Sequence, residues 1–293
     1  MWNIITILFG STIRSATPLM FTALGGTFSE RSGVVNIGLE GMMTIGAFSA
    51  VLVSYFTGSP FLGLLGAIVS GAFFGWLLAF LSIHFKANQV VVGTAINILA
   101  ASLTTFLLVE IWGKPGQTDN VNYFTPWGPF NMFTYLAFIL VGVSYFVLYK
   151  TPFGLRIRAV GEHPRAADTL GVNVYKVRYI CVILSGILGA IGGAALSIGS
   201  ISLFKEGMIA GKGFIALAAV IFGKWHPVGA ALACLFFGLA DAIQTVSMSL
   251  GLDLPKEFLF ALPYILTMMA VSGLVGKSVA PAADGVPYEK GEK

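Results

Sequence analysis

Lys150–Arg178 reads KTPFGLRIRAVGEHPRAADTLGVNVYKVR. It is the longest polar interval in an otherwise apolar sequence, and it holds Lys150, Arg156, Arg158, Arg165, Lys176 and Arg178, six of the chain's seventeen Lys and Arg. Within it, Glu162–Gly171 predicts a very short helix. Pro164 suits the first helical position, where a missing N–H costs nothing, and Gly171 suits the left-handed residue that closes a helix. Asp168 stands too late to be an N-cap and is expected to face solvent or a partner. What flanks this basic stretch decides the fold.

The flanks are membrane-like. Of 293 residues, 56% are hydrophobic and only 10% charged, with mean hydropathy +0.86; a soluble domain carries roughly 25% charged residues. Apolar runs occupy Trp2–Phe28, Val34–Phe56, Phe61–His84, Val90–Trp112, Asn131–Tyr149, Tyr179–Ile201, Phe214–Phe222, Val228–Leu250 and Phe258–Val275. A crossing needs about 20 residues, so Phe214–Phe222 is too short to span alone. The expectation is an all-α, polytopic integral membrane protein with eight to ten transmembrane helices. Residues 1–276 form one transmembrane domain and 277–293 a polar tail, expected to be disordered.

Orientation follows the basic residues, which concentrate on the cytoplasmic side. Lys150–Arg178, His84–Lys86 and the tail are therefore expected inside, and Gly113–Phe130, with one lysine, outside. Alternating the spans back places Ser29–Arg31 inside and the N-terminus outside. MWNIITILFGSTIR lacks a basic n-region, so no cleaved signal peptide is expected. The basic balance reports topology and gives no case for nucleic acid. Cys181 and Cys234 lie in apolar runs and are expected to act as small hydrophobic residues.

Two patterns concern packing. Gly66-Ala67 precedes Phe73-Phe74-Gly75 as Gly229-Ala230 precedes Phe236-Phe237-Gly238, in spans assigned opposite directions, which is the sign of an inverted repeat. Ser185, Gly189, Gly193 and Ser197 fall four residues apart and form a smooth stripe that lets another helix approach closely.

Catalytic motifs fail. Gly276-Lys277-Ser278 resembles the end of a phosphate loop, but Val271 stands where its first glycine belongs. His84, His163 and His226 are isolated, so no metal site is expected, and no hydrolase motif is present. If ATP is used, another chain binds it. The polar interest lies in Ser29–Gly46, SERSGVVNIGLEGMMTIG, where Asn36 and Glu40 interrupt a span among glycines. Polar groups at that depth line a pathway or pair inside the bundle, and helices broken by glycine can aim their ends at a polar solute. Asn97, Asp241 and Gln244 are further candidates for the translocation pathway; Asp241 and Gln244, three residues apart, share a helix face. An ion-driven carrier using Glu40 and Asp241 is the alternative from another class.

Three stretches together carry a family resemblance. Arg165-Ala166-Ala167-Asp168-Thr169-Leu170-Gly171 resembles the EAA-x-x-x-G signature of ABC importer permeases. TPFGLRIRAVGEHPRAADTLGV, followed by GKGFIALAAVIFGKWHPVGA, is similar to the family serving branched-chain amino acids, simple sugars and nucleosides. SERSGVVNIGLEGMM resembles its nucleoside-transporting subgroup, and the likeness runs from about Pro18 to Val275. It implies the permease subunit of an ATP-driven importer of nucleosides, purine ones foremost, with a sugar or another small polar solute as the nearest alternative. It implies a type II-like importer fold in the cytoplasmic membrane, no enzyme activity and no cofactor in this chain, and ATP used by a separate subunit. The implied partners are two ATP-binding subunits, a second homologous permease in a heterodimer rather than a homodimer, and an extracytoplasmic substrate-binding protein. The short cytoplasmic helix becomes a coupling helix for the ATPase, formed by Glu162, Arg165, Ala166, Ala167, Asp168, Leu170 and Gly171. Arg165 replaces the signature Glu, and Glu162 stands nearby to supply a carboxylate.

Overall fold

In the computed structural model, residues 2–249 and 279–289 are described. They form α1 (Trp2–Arg31), α2 (Leu39–Thr57), α3 (Pro60–Ala79), α4 (Gln89–Trp112), α5 (Met132–Lys150), α6 (Pro152–Glu162), α7 (Pro164–Thr169), α8 (Val174–Leu196), α9 (Lys212–Phe222) and α10 (Pro227–Ser249). Single π-helical turns extend α3 over Phe80–His84 and α8 over Ser197–Ile201. Among the described residues six helices are long and apolar enough to cross a membrane, and α9 is too short to do so. The protein is all-α and polytopic. The run Phe258–Val275 and the sequence Gly276-Lys277-Ser278 lie outside the described residues.

α8 is the centre of the bundle because it can be approached from three sides. Gly25 on α1 lies where a Cβ would stand 2.8 Å from the Ser185 carbonyl oxygen, and Gly192 where one would stand 2.7 Å from that of Pro18. Residue numbers on α1 thus rise as those on α8 fall, and the two helices run antiparallel. α2 runs parallel to α8. Here a Cβ on Gly193 would overlap the Met43 carbonyl, and Ser197 donates its hydroxyl to the Ala47 carbonyl at 3.0 Å. The stripe Ser185, Gly189, Gly193 and Ser197 is therefore a packing seam, as its spacing predicts: lipid gives no hydrophobic drive between helices, so close backbone approach and interhelical hydrogen bonds must hold them.

The two copies of the repeated sequence pack on different helices. α3 lies across α8, with Gly75 facing the Val182 carbonyl and Gly71 facing that of Gly186. α10 lies along α1, with Gly238 facing the Thr12 carbonyl oxygen, 2.7 Å from where its Cβ would be. The repeated Gly-Ala…Phe-Phe-Gly sequence thus places Gly75 against α8 and Gly238 against α1, each at a close backbone approach.

Residues 113–131 close over the C-terminal end of α8 and the segment after it. Thr118 N–H donates to Phe204 O at 2.9 Å, Val121 N–H to Ser202 O at 2.7 Å and Phe124 N–H to Ile198 O at 3.0 Å. Two expectations need correction. α2 begins at Leu39, not Val34, because residues 32–38 are tied in an irregular path: Ser29 donates its hydroxyl to Val34 O at 2.7 Å, and Gln89 accepts from Val35 N–H at 2.7 Å. The tail, expected to be disordered, is folded over residues 279–289 against the end of the bundle where α6 ends and α8 begins, with Pro281, Ala283 and Tyr288 buried. Polar composition concealed those three anchors.

Candidate functional site

The basic stretch folds as two helices with a corner between them. Thr151 caps α6 by accepting from Gly154 N–H at 3.2 Å, with Pro152 in the first turn. α6 buries Ile157, Val160 and Gly161 and exposes Leu155. Gly161 admits α1: a Cβ there would overlap the Arg31 carbonyl oxygen. Pro164 disfavours helical geometry at His163, which sits at φ −140°, so the chain turns and α7 starts afresh. Its end is a Schellman motif: Val172 N–H donates to Ala167 O at 3.0 Å, Gly171 N–H to Asp168 O at 2.9 Å, and Gly171 takes φ +83°. The predicted single helix Glu162–Gly171 is thus shortened, with Glu162 given to α6.

This geometry sorts the coupling residues. Leu170 is 84% exposed; Glu162, Arg165, Ala166, Thr169 and Gly171 are exposed as well. Ala167 is buried and packs inward, so it seats α7 on its own subunit. Asp168, expected to face solvent or a partner, is half-buried and hydrogen-bonded by the Tyr288 hydroxyl of the tail. Glu162 accepts Ala282 N–H at 3.2 Å.

Behind α7 stands a buried charged base. Arg178, on the first turns of α8, donates to Ser32 O at 3.1 Å and to Val286 O at 3.0 Å. Asp284 is close enough to Arg178 and Glu30 to feel both charges. Burial raises its carboxyl to about 7, an effect that Arg178 partly offsets.

The second polar site lies at mid-depth. Leu39 packs against Gly189, eleven residues along α8 from Arg178, a climb of roughly 16 Å into a core about 30 Å thick. There the first turns of α2 and α9 come together, so two helix N-termini meet. Glu40 accepts Gly211 N–H at 2.9 Å and Gly213 N–H at 2.7 Å. Asn97 of α4 accepts Gly41 N–H at 2.7 Å and donates to Ile37 O at 3.0 Å. Asn36 is fully buried and donates to the Ser185 hydroxyl at 2.8 Å. Glu40 and Asn97 close the helix breaks with hydrogen bonds to backbone groups, and Asn36 ties the break before α2 to the side chain of Ser185. The positions of Asp241 and Gln244 are separate: both are half-buried on α10, whose neighbour is α1.

A profile of the family described as branched-chain amino acid transport system / permease component matches residues 8–276, nearly the whole chain. The chain belongs to this permease family. It is 47% identical to the guanosine ABC transporter permease protein NupQ of Bacillus subtilis, over 99% of both chains. It is 41% identical to the nucleoside ABC transporter permease protein NupC of Lactococcus lactis, over 98% of both. To NupP of Bacillus subtilis, a guanosine ABC transporter permease protein, it is 27% identical over 85% of this chain and 76% of the other. It is therefore a multi-pass permease subunit of an ABC transporter, and a permease subunit carries no ATPase of its own.

Two sequence motifs of the permease meet at one place. The end of α1, Ser29-Glu30-Arg31, receives the turn Gly223–Gly229 that joins α9 to α10. Trp225 donates its indole N–H to the buried Glu30 carboxylate, and Arg31 donates to Trp225 O at 2.8 Å. Lys224 and Trp225 both take positive φ, 56° and 52°. Glu30, Trp225, Arg178 and the tail went unremarked as functional positions in the sequence; the apolar Val286-Pro287-Tyr288 within a polar tail was the available signal.

Proposed function

We propose that this permease imports nucleosides, purine nucleosides in particular, across the cytoplasmic membrane. Identity of 47% and 41% to permeases named for guanosine and nucleosides, over essentially the full length, carries the reading. The transporter contains a second, homologous permease, two ATP-binding subunits and an extracytoplasmic binding protein. The marked difference in identity to two permeases of one organism, 47% and 27%, supports a heterodimer in which the partner resembles the more distant one. ATP is bound by the partner subunits, and this chain needs no cofactor. α7 is the coupling helix: it is capped at its end and presents Leu170, Ala166 and Arg165 outward. Small alanines permit close seating, and flanking charges set register. Asn36, Glu40 and Asn97 shape the mid-membrane wall of the pathway, and Asp241 and Gln244 are its polar candidates on α10.

Uptake of radiolabelled guanosine, with inosine, adenosine, uridine and glucose as competitors, tests the substrate. Guanosine uptake that survives an uncoupler and stops on ATP depletion is the expected result. Glucose uptake without nucleoside uptake would overturn the nucleoside reading, and loss under the uncoupler alone would overturn ATP coupling.

A further inference from the structure

The tail and α7 are one structural unit. Ala283 N–H donates to Gly161 O at 2.9 Å, Arg178 holds Val286 O, and the Tyr175 hydroxyl donates to Tyr288 O at 3.3 Å. The Tyr288 ring packs on that of Tyr175, centroids 5.5 Å apart, while its hydroxyl reaches Asp168 of α7. Beyond it, Glu289 pairs with Lys86 at the end of α3. A helix of six residues is far too short to persist alone, since isolated helices below about 12 residues are marginal in water. What holds α7 is its tertiary seat, and the tail forms one wall of that seat.

Between the two lies an open cleft of about 420 Å³ lined by His163, Arg165, Ala166, Val286, Pro287 and Tyr288. Val286, which lines it, is 54% exposed, and Leu170, four residues on from Ala166 of the same lining, is 84% exposed. Leu170 and Val286 are apolar, whereas Arg165 and Glu289 line the cleft, Lys86 pairs with Glu289 and Glu162 accepts from Ala282 N–H, a pattern that suits a protein partner with an apolar centre and a polar rim. We propose that Pro281–Glu289 belongs to the ATPase-binding surface: tail and α7 form one composite socket, and a single ATPase subunit covers Leu170, the cleft and Val286 together. This rests on α7 being the coupling helix.

The test uses the complete transporter, purified through a tag on the second permease, with this chain wild-type, Val286→Asp, Leu170→Asp or ended after Ala280. The readout is the ATPase retained per permease pair, with elution of the pair as the check on assembly. Val286→Asp and the shortened chain are each expected to lower ATPase affinity about tenfold or more while the permease pair elutes unchanged. Val286→Cys, treated with a maleimide–succinimide ester reagent that joins its thiol to a lysine amine with loss of the N-hydroxysuccinimide leaving group, is expected to cross-link to the ATPase. Retention in Val286→Asp, with loss in Leu170→Asp, would overturn the composite socket and leave the coupling helix standing. Retention in Leu170→Asp would remove the coupling reading itself. If the shortened chain fails to assemble, Val286→Asp and the cross-link decide, because both alter an exposed side chain.

Discussion

Glu40 accepts the backbone N–H of Gly213 at 2.7 Å, so the first turn of α2 closes the first turn of α9 across the middle of the membrane. Both helices end there at their N-termini, each carrying a partial positive charge of about +0.5. Brought together in lipid, the two ends would repel and leave backbone donors unsatisfied. The carboxylate offsets both terms.

Glu40→Gln keeps the shape and one good acceptor but presents an N–H to one of the two donors. A charge-assisted bond contributes about 1.5–3 kcal/mol, and a loss of that order is expected in thermal unfolding of the purified permease. Glu40→Ala should cost more. Unchanged unfolding in both would show that the contact carries no stability.

Gly193→Ala tests the α2–α8 seam. A Cβ there overlaps the Met43 carbonyl, a backbone atom that cannot swing away. Overpacking costs about 1–3 kcal/mol and sometimes more, and here the upper end is expected, seen as a lower yield of monodisperse protein. Gly142→Ala is the control: a Cβ on Gly142 meets nothing within 4 Å, and alanine gains roughly 0.5–1 kcal/mol in a helix interior.

Ala167→Asp and Leu170→Asp should fail differently. Ala167 is buried beneath α7 and Leu170 is exposed. Asp at 167 places an uncompensated charge under α7 and should expose residues 163–172 to protease without any ATPase present. Asp at 170 should leave protease resistance unchanged and reduce transport. Equal protease resistance in both would contradict the seating of α7.

Asp284 gives the tail a pH dependence of known sign. Its carboxyl lies at about 7 when docked, against an ordinary 3.8, so the docked tail binds the proton more tightly than the undocked one. Docking is therefore favoured below about pH 4 and loses that contribution as pH rises to about 7, then levels off. Glu30 opposes the charged form and Arg178 supports it. Amide exchange in 282–289, corrected for intrinsic rate, should be faster at pH 8 than at pH 6. Asp284→Asn should flatten that difference, and an unaltered pH profile would count against the assignment.

Hydropathy alone established the all-α membrane fold, since no soluble core can absorb so many apolar runs. Local chemistry was equally legible where it acts over a few residues. Pro164 and Gly171 marked the ends of α7, and the four-residue stripe on α8 marked a seam, because both follow from backbone geometry near in sequence. Long-range pairing was not legible. Glu40 stood out as a polar residue in a span, but its partners Gly211 and Gly213 lie 171 and 173 positions away, and only the fold brought them to it. Ala167 and Ala166 are the same residue type, adjacent, and only the docking of α7 turned one inward and one outward. The tail read as disordered because its composition is polar, yet Arg178 and Gly161 offered its backbone partners that composition cannot reveal. Sequence determined which segments enter the membrane and where helices stop; tertiary structure decided which polar groups satisfy one another and which remain to meet a partner.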